Sequence, residues 1–406
     1  MRKWLIIAAG LVALALSSFG ASAQQLVSYR GSGCAEASQL LPCLNATIRD
    51  INALIPSWNP EWSLPRNILD NGPMDVNQRG TAAQTCGTTT IPSSAYSADR
   101  WGCNVNVTSG AGSLQYVTTN LPAQPIFNGA QLFYRTSGAL AQPQCVMQEI
   151  ASTKIIPLQA QAVTFSFYAY GLANMLAEQT TLNAYLFTGT GVDQGLQSFT
   201  ASPAITPAWT GIASTQTQAF TLTASYQRFV VTWQIPATAK EAAVALCWTP
   251  TTGGTAGATD GFEFTGVQLE QGSTASVVEY RAYGDELATA QRYYWQWAET
   301  VSSTADSPFM CAAQSTTVAV CKAVAHVPFR VAPTITCTFG TLKRQVAGTD
   351  TALTACAAAA TTNGVSGVDN VTITATVASG DTAGLGGTLM SGNSTGGGLI
   401  TASADF

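Results

Sequence analysis

The strongest constraint on this chain is a period of two. In Val163-Thr164-Phe165-Ser166-Phe167-Tyr168-Ala169-Tyr170 the large apolar residues Val163, Phe165 and Phe167 hold alternate positions. Successive side chains of a strand point to opposite faces, so Thr164, Ser166, Tyr168 and Tyr170 must share the other side. Phe229-Val230-Val231-Thr232-Trp233-Gln234-Ile235 repeats the pattern, with Phe229, Val231, Trp233 and Ile235 on one face. Val244–Trp248 and Phe262–Leu269 are further strand candidates, separated from the others by turn-rich stretches such as 189–195 and 251–261. Short alternating runs between polar turns indicate an all-β sandwich and argue against an α/β fold. Trp101 and Trp233 sit in core-like surroundings.

The flanks read differently. Arg2 and Lys3, the apolar run Trp4–Leu16 and the small residues Ala21-Ser22-Ala23 form a secretory signal pattern, with cleavage expected after Ala23. The apolar run is short for a membrane span, and no later stretch is expected to cross one. Leu40, Leu44, Ile48, Ile51 and Ile55 recur at helical spacing up to Pro56, predicting one short amphipathic helix. Its apolar stripe suits an oligomer contact or packing on its own domain equally well. From Trp295 the chain turns rich in Thr, Ala and Gly, with strands expected at Thr317–His326, Pro333–Phe339 and Asn370–Val377. The Gly-rich 380–398 reads either as a linker or as tight turns. The expected order is a signal at 1–23, a helical and linker segment at 24–65, a sandwich at 66–281, a linker helix at 282–294 and a β-rich C-terminal domain at 295–406.

Only 10% of residues are charged and the net charge is -5, with no basic cluster. Nucleic-acid binding needs grouped Lys and Arg to neutralise phosphates, so it is excluded as a reading. All ten cysteines follow the signal: Cys34, Cys43, Cys86, Cys103, Cys145, Cys247, Cys311, Cys321, Cys337 and Cys356. With no C-x-x-C and a single histidine, they read as disulfides and not as zinc ligands. Pairing between sequence neighbours (34–43, 86–103, 311–321, 337–356), with 145–247 remaining, is the expectation, although spacing alone leaves the connectivity open.

Catalytic groupings are sparse. His326 is the sole imidazole, so a Ser-His-Asp arrangement has one possible base, and its place in an expected strand suggests a structural role. Glycine clusters lack the Gly-Lys-Ser/Thr ending of a phosphate loop. Glycoside hydrolysis needs two carboxylates facing each other across a sugar. Asp99, Glu149, Asp260, Glu263, Glu270, Glu279, Asp285 and Glu286 are candidates, but context distinguishes no pair. Those in the motifs below are better read as partners of Arg79, Arg100 or Arg281.

A set of motifs in fixed order carries a family resemblance. These are Asn71-Gly-Pro-Met-Asp-Val-Asn-Gln-Arg-Gly-Thr81, Tyr96-Ser-Ala-Asp-Arg-Trp101, Tyr226-Gln-Arg-Phe-Val-Val-Thr-Trp-Gln-Ile-Pro236 and Phe264-Thr-Gly-Val-Gln-Leu-Glu-Gln-Gly272. Val278-Glu-Tyr-Arg281, Glu286-Leu-Ala and Gln291-Arg-Tyr-Tyr294 follow, with Phe329–Ile335 and Thr401–Phe406 downstream. Together they resemble phage tail-fibre and related virion or prophage proteins with a carbohydrate-binding-module-like jelly roll, across residues 66–406. The export signal and the ten cysteines depart from that family. They point to an exported cellular relative or to a particle protein matured in an oxidising environment.

The resemblance implies a jelly-roll β-sandwich followed by a smaller β domain, without enzymatic activity. It also implies a polysaccharide or cell-surface glycan as partner, in adhesion or receptor binding. A homo-oligomer, in which several weak sites add, is expected at the extracellular or virion surface. Rings that could stack on sugars are Tyr116, Tyr134, Tyr168, Tyr170, Tyr185 and Trp209. A structural Ca²⁺ held near strand ends would draw on Asp260 and Glu263, and no other cofactor is expected. A purely structural fibre, decoration or filament subunit is the alternative, and a polysaccharide-degrading enzyme is the third reading.

Overall fold

The computed structural model describes residues 65–406 apart from 87–94, 106–111, 124–126, 138–142, 196–198, 201–205, 208, 213, 252, 299–305, 341, 360–365, 391–397 and 406. The signal, the helix at 40–55 and the Cys34–Cys43 pair lie outside the described residues. Arg66–Phe406 forms one compact unit.

Its first part is a sandwich of two six-stranded antiparallel sheets. The strands are β1 (Gln84–Thr85), β2 (Ala95–Tyr96), β3 (Gly102–Val105), β4 (Gly112–Val117), β5 (Ala130–Arg135), β6 (Gln144–Ile150) and β7 (Ala162–Gly171). They continue with β8 (Thr181–Gly189), a small ribbon of β9 (Phe199–Thr200) and β10 (Thr206–Pro207), then β11 (Ser214–Thr221), β12 (Gln227–Gln234), β13 (Glu241–Trp248) and β14 (Gly261–Gln271). The first sheet runs β1-β4-β5-β14-β7-β12 and the second β11-β8-β13-β6-β3-β2. From β5 onward the chain changes sheet at almost every long strand, as a jelly roll requires.

The alternation read from the sequence sets the core. Val163, Phe165 and Phe167 are fully buried, and Phe167 meets Phe220 of the second sheet edge-on at 5.5 Å. Phe165 stacks on Trp233 at 5.4 Å, and Trp101 meets Phe264 at 5.5 Å. Each such side chain taken out of water contributes about 1.5–3 kcal/mol.

The central strand is β14, buried over its length except at Gln271. Its first four residues pair with β5. A bulge follows between Thr265 and Gln268, with Gly266 at φ +60, a conformation that disfavours any residue with a Cβ. Beyond the bulge β14 leaves β5 and bonds the leading segment instead, through Ile68 N–H to Leu269 O (2.8 Å) and Val267 N–H to Gly72 O (2.9 Å). A Cβ on Gly72 would lie 2.1 Å from Val267 O, so only glycine permits this approach.

The helix predicted at 282–294 is shorter. It is α3 (Tyr283–Gln291), after two one-to-two-turn helices, α1 (Ser152–Ile155) and α2 (Ala173–Glu178). Tyr294 instead opens β15 (Tyr294–Ala298), in a three-stranded sheet β15-β23-β18 with β23 (Leu399–Ser403) and β18 (Thr334–Thr338). The remaining strands are β16 (Asp306–Ala313), β17 (Val318–Val324), β19 (Lys343–Val346), β20 (Thr349–Ala358), β21 (Asn370–Val377) and β22 (Gly386–Met390). They close into a barrel in the order β16-β17-β21-β20-β19-β22. The Gly-rich tail therefore supplies a barrel strand. His326 is exposed in a bend after β17, not in a strand, because the chain turns there toward Pro328 and the buried Phe329.

Four disulfides join the described cysteines: Cys86–Cys103, Cys145–Cys247, Cys311–Cys321 and Cys337–Cys356. The first links the edge of one sandwich sheet to the other, and the last ties the three-stranded sheet to the barrel.

Ion pairs hold the sandwich to this second part. Arg79 contacts Asp99 at 3.0 Å and Asp405 at 2.6 Å, and lies 3.6 Å from the centre of the Tyr294 ring. Arg100, fully buried, pairs with Asp70 at 3.4 Å and lies over Tyr293 at 3.6 Å. Arg281 pairs with Glu286 at 3.3 Å and Glu279 at 3.6 Å. Asp99, Glu279 and Glu286 of these motifs thus bind arginines, whereas Glu270 accepts from Ser276 and Gln268.

Candidate functional site

The two outer faces of the sandwich have different fates. On the second sheet Phe187, Met147, Ala243, Ala245 and the Cys145–Cys247 pair form an apolar patch. The segment after β10 lays Trp209 onto it, leaving that ring 6% exposed, and Tyr185 stacks on Phe187 at 5.5 Å. Both sequence candidates on this side are packing residues of that patch.

On the first sheet one half of the outer face is covered. Thr164 donates to Gly272 O at 2.7 Å, and the Ser276 hydroxyl donates to Glu270 at 2.6 Å. Glu279 N–H donates to Gln268 at 2.8 Å, so the segment after β14 lies back across Thr164, Ser166, Gln268 and Glu270. Arg228 closes this border by donating to Ser166 Oγ at 3.1 Å and to Ser276 O.

The other half stays open. Register places Glu263 of β14 beside Tyr170 of β7, and Tyr168 beside both Thr265 and Arg228. Tyr226, just before β12, continues that register next to Tyr170, and the two rings lie 4.6 Å apart. Glu263 is 4% exposed beneath them. The Tyr226 hydroxyl donates to it at 3.3 Å, and Tyr170 also hydrogen-bonds it. Burial pushes the Glu263 carboxyl above its ordinary value, and the two tyrosine bonds offset only part of this. Burial, then the nearby Glu263 charge, raises both phenols; Asn120 hydrogen-bonds Tyr170 from the β4–β5 connection. Tyr134, opposite Gly261, shares this face by alternation, and all four tyrosines are partly exposed.

Of the six ring candidates, Tyr134, Tyr168 and Tyr170 are therefore brought to one face, while Tyr185 and Trp209 lie on the far side of the sandwich. Tyr116 pairs with Gln131, one residue out of phase with that face, and reaches the Asn128 carbonyl at 3.5 Å. Tyr226 and Glu263 were not expected here. Tyr226 stands one residue before β12 and outside its alternating run, so only its phase with Arg228 signals its side.

Asp260 and Glu263, the residues named for a calcium ion, have different partners. Asp260 is fully buried against Arg135 Nε at 2.6 Å, and Arg135 also takes Glu178 at 3.0 Å. Glu263 belongs instead to the tyrosine face. Among the described residues no group of three or more His, Cys, Asp or Glu is gathered to hold a metal ion.

No protein-family model and no curated protein matches the chain. Among solved structures, the enzymatically active domain of tailspike protein 4 of bacteriophage CBA120 is similar at 11% identity and a TM-score of 0.31, over 51% of this chain. The match spans only 21% of that tailspike chain. TmCBM61, solved with β-1,4-galactotriose, is similar at 11% identity and a TM-score of 0.26, over 52% of this chain and 100% of that module. The xylan-binding CBM22-1 domain of Paenibacillus barcinonensis gives 10% identity and 0.25, over 48% and 95%. Likeness at this level assigns no ligand and no activity to the chain.

Proposed function

We propose that the protein binds glycans on the open half of the first sheet's outer face and leaves them chemically unchanged. The observation that carries this is the pair of partly exposed rings, Tyr170 and Tyr226, packed 4.6 Å apart over buried Glu263. Ring faces stack on the C–H faces of pyranoses, and a few fixed polar groups read their hydroxyls. Glu263 and Asn120 supply such groups. A binding role without hydrolysis is supported by how the other candidate acids are used, with Asp99, Asp260 and Glu286 committed to Arg79, Arg135 and Arg281. The disulfides fit folding in an oxidising compartment, and hence a role in adhesion at a cell or virion surface. An oligomer would add its weak sites there.

A glycan array and a polysaccharide pull-down with the full chain test this reading. Retention by wild type and loss in Y170A/Y226A, with circular dichroism showing that the variant is folded at the assay temperature, is expected. A folded, oligomeric wild type that retains no polysaccharide in a broad panel overturns it. A second reading, a fibre or decoration subunit, is favoured by Met310 and Val324, which are 66% and 76% exposed on the barrel. Ordered filaments with the Tyr168 face buried in electron micrographs would support that role instead.

A further inference from the structure

A second group of rings stands beside the strand face, on segments the sheet does not include. Tyr280, three residues before α3, and Tyr283, its first residue, are 49% and 59% exposed. Tyr280 stacks on Phe127 at 6.0 Å with 30° between planes, and Phe127 lies 5.5 Å from Tyr168. Asp75 sits among them, with Asn128 Nδ2 donating to its Oδ1 at 2.8 Å. The turn that presents Asp75 holds two non-glycine residues in left-handed backbone, Asn71 at φ 51 and Met74 at φ 62. After burial itself, the Asp75 charge is the next cause that raises the Tyr116 and Tyr280 phenols, and Tyr283 also acts on Tyr116.

We propose that Tyr280, Tyr283 and the Asp75–Asn128 pair form a second carbohydrate subsite, continuous with the first through Tyr168 and Phe127, so that the protein takes an internal stretch of a neutral linear polysaccharide. This rests on the glycan reading. The carboxylate fixed by an amide matches what reads vicinal hydroxyls, and two ring faces stand open beside it. Tyr170 and Tyr168 are two strand positions apart, about 6.6 Å. With the 5.5 Å and 6.0 Å steps that follow, the path exceeds what one sugar ring can cover. Its charges are the carboxylates Asp75 and Glu263 against Arg228, whose guanidinium is already tied to Ser166 and Ser276. An acidic sugar would meet like charge along most of the path.

Calorimetry with galacto-, xylo- and cello-oligosaccharides of two to eight units, and with an oligogalacturonate series, tests the inference. In the neutral series that binds, affinity should climb with length before reaching a plateau. Y280A/Y283A should weaken the longest members about tenfold and leave the shortest unchanged. Both rings are exposed, so this variant keeps the fold. Length-independent affinity with an unaffected Y280A/Y283A overturns the second subsite and spares the first. Tighter binding of the acidic series overturns the neutral class. Binding of no series by wild type overturns both readings together.

Discussion

The four described disulfides close loops that do not overlap along the chain, so each constrains the unfolded ensemble independently. Cys145–Cys247 closes a loop of 102 residues, and Cys311–Cys321 one of 10. Both join directly opposed residues of neighbouring antiparallel strands, and all four sulfurs belong to buried residues. Replacing either pair by alanine should therefore remove similar packing and differ mainly in chain entropy. The entropy lost by closing a loop grows with the logarithm of its length. It gives about 4.7 kcal/mol for the long loop and about 2.7 kcal/mol for the short one. C145A/C247A should thus be less stable than C311A/C321A by about 2 kcal/mol, about thirtyfold in the folding equilibrium. Urea titration followed by tryptophan fluorescence and by far-ultraviolet circular dichroism checks this, with coincidence of the two signals confirming a single transition. Equal losses, or a larger loss for the short loop, would refute the chain-entropy account and assign the stabilisation to local packing on the sheets.

Other perturbations should separate the electrostatic and steric devices of the fold. R135M strands Asp260 and Glu178 without their common cation and should destabilise by about 3–5 kcal/mol in a thermal or denaturant melt, because it leaves buried charge unpaired. Burial, opposed in part by Arg79, raises the Asp99 carboxyl from 3.8 to about 6. Its folded value is the higher one, so its contribution is complete below pH 3.8 and is lost as pH rises through 6. The wild-type unfolding free energy measured against D99N should fall by about 3 kcal/mol across that window, and a flat difference would contradict the assignment. A methyl group at Gly266 would meet the Phe127 ring at 2.5 Å from a backbone with φ +60. G266A should therefore lose about 1–3 kcal/mol and disturb the Phe127–Tyr168 contact, visible in near-ultraviolet circular dichroism.

What the sequence discloses follows from how each strand is buried. β7 faces the core on one side only near its open end, so its alternation is plain and gives the side of Tyr168 and Tyr170 directly. β13 is buried on both faces throughout, so its Glu241-Ala242-Ala243 start has no period to detect and only Val244–Trp248 stood out. β20 is mostly exposed on both sides, and its Thr and Ala residues carry no pattern at all. The closure of the barrel was illegible for the same reason. Trp209 shows the opposite failure, because a large ring after a turn looks available whereas the segment bearing it folds down onto Phe187.

The tyrosine face exposes a deeper limit. Tyr170, Tyr226 and Glu263 are far apart in the chain and come together only because β14, β7 and β12 are neighbours in that order. No spacing within one segment encodes that order. The bulge at Gly266 acts on the other side of β14, which it frees from β5 so that the leading segment takes the second half. The stretch after β14 then has two effects at once. Through Ser276 and Glu279 it seals the polar half of the face, and through Arg281 and Glu286 it anchors α3 against Asn67 and Asn71. The same stretch carries Tyr280 and Tyr283 to the rim of the half it leaves open. The segment that joins the two parts of the molecule thereby sets the border of the open face and supplies the rings of the proposed second subsite.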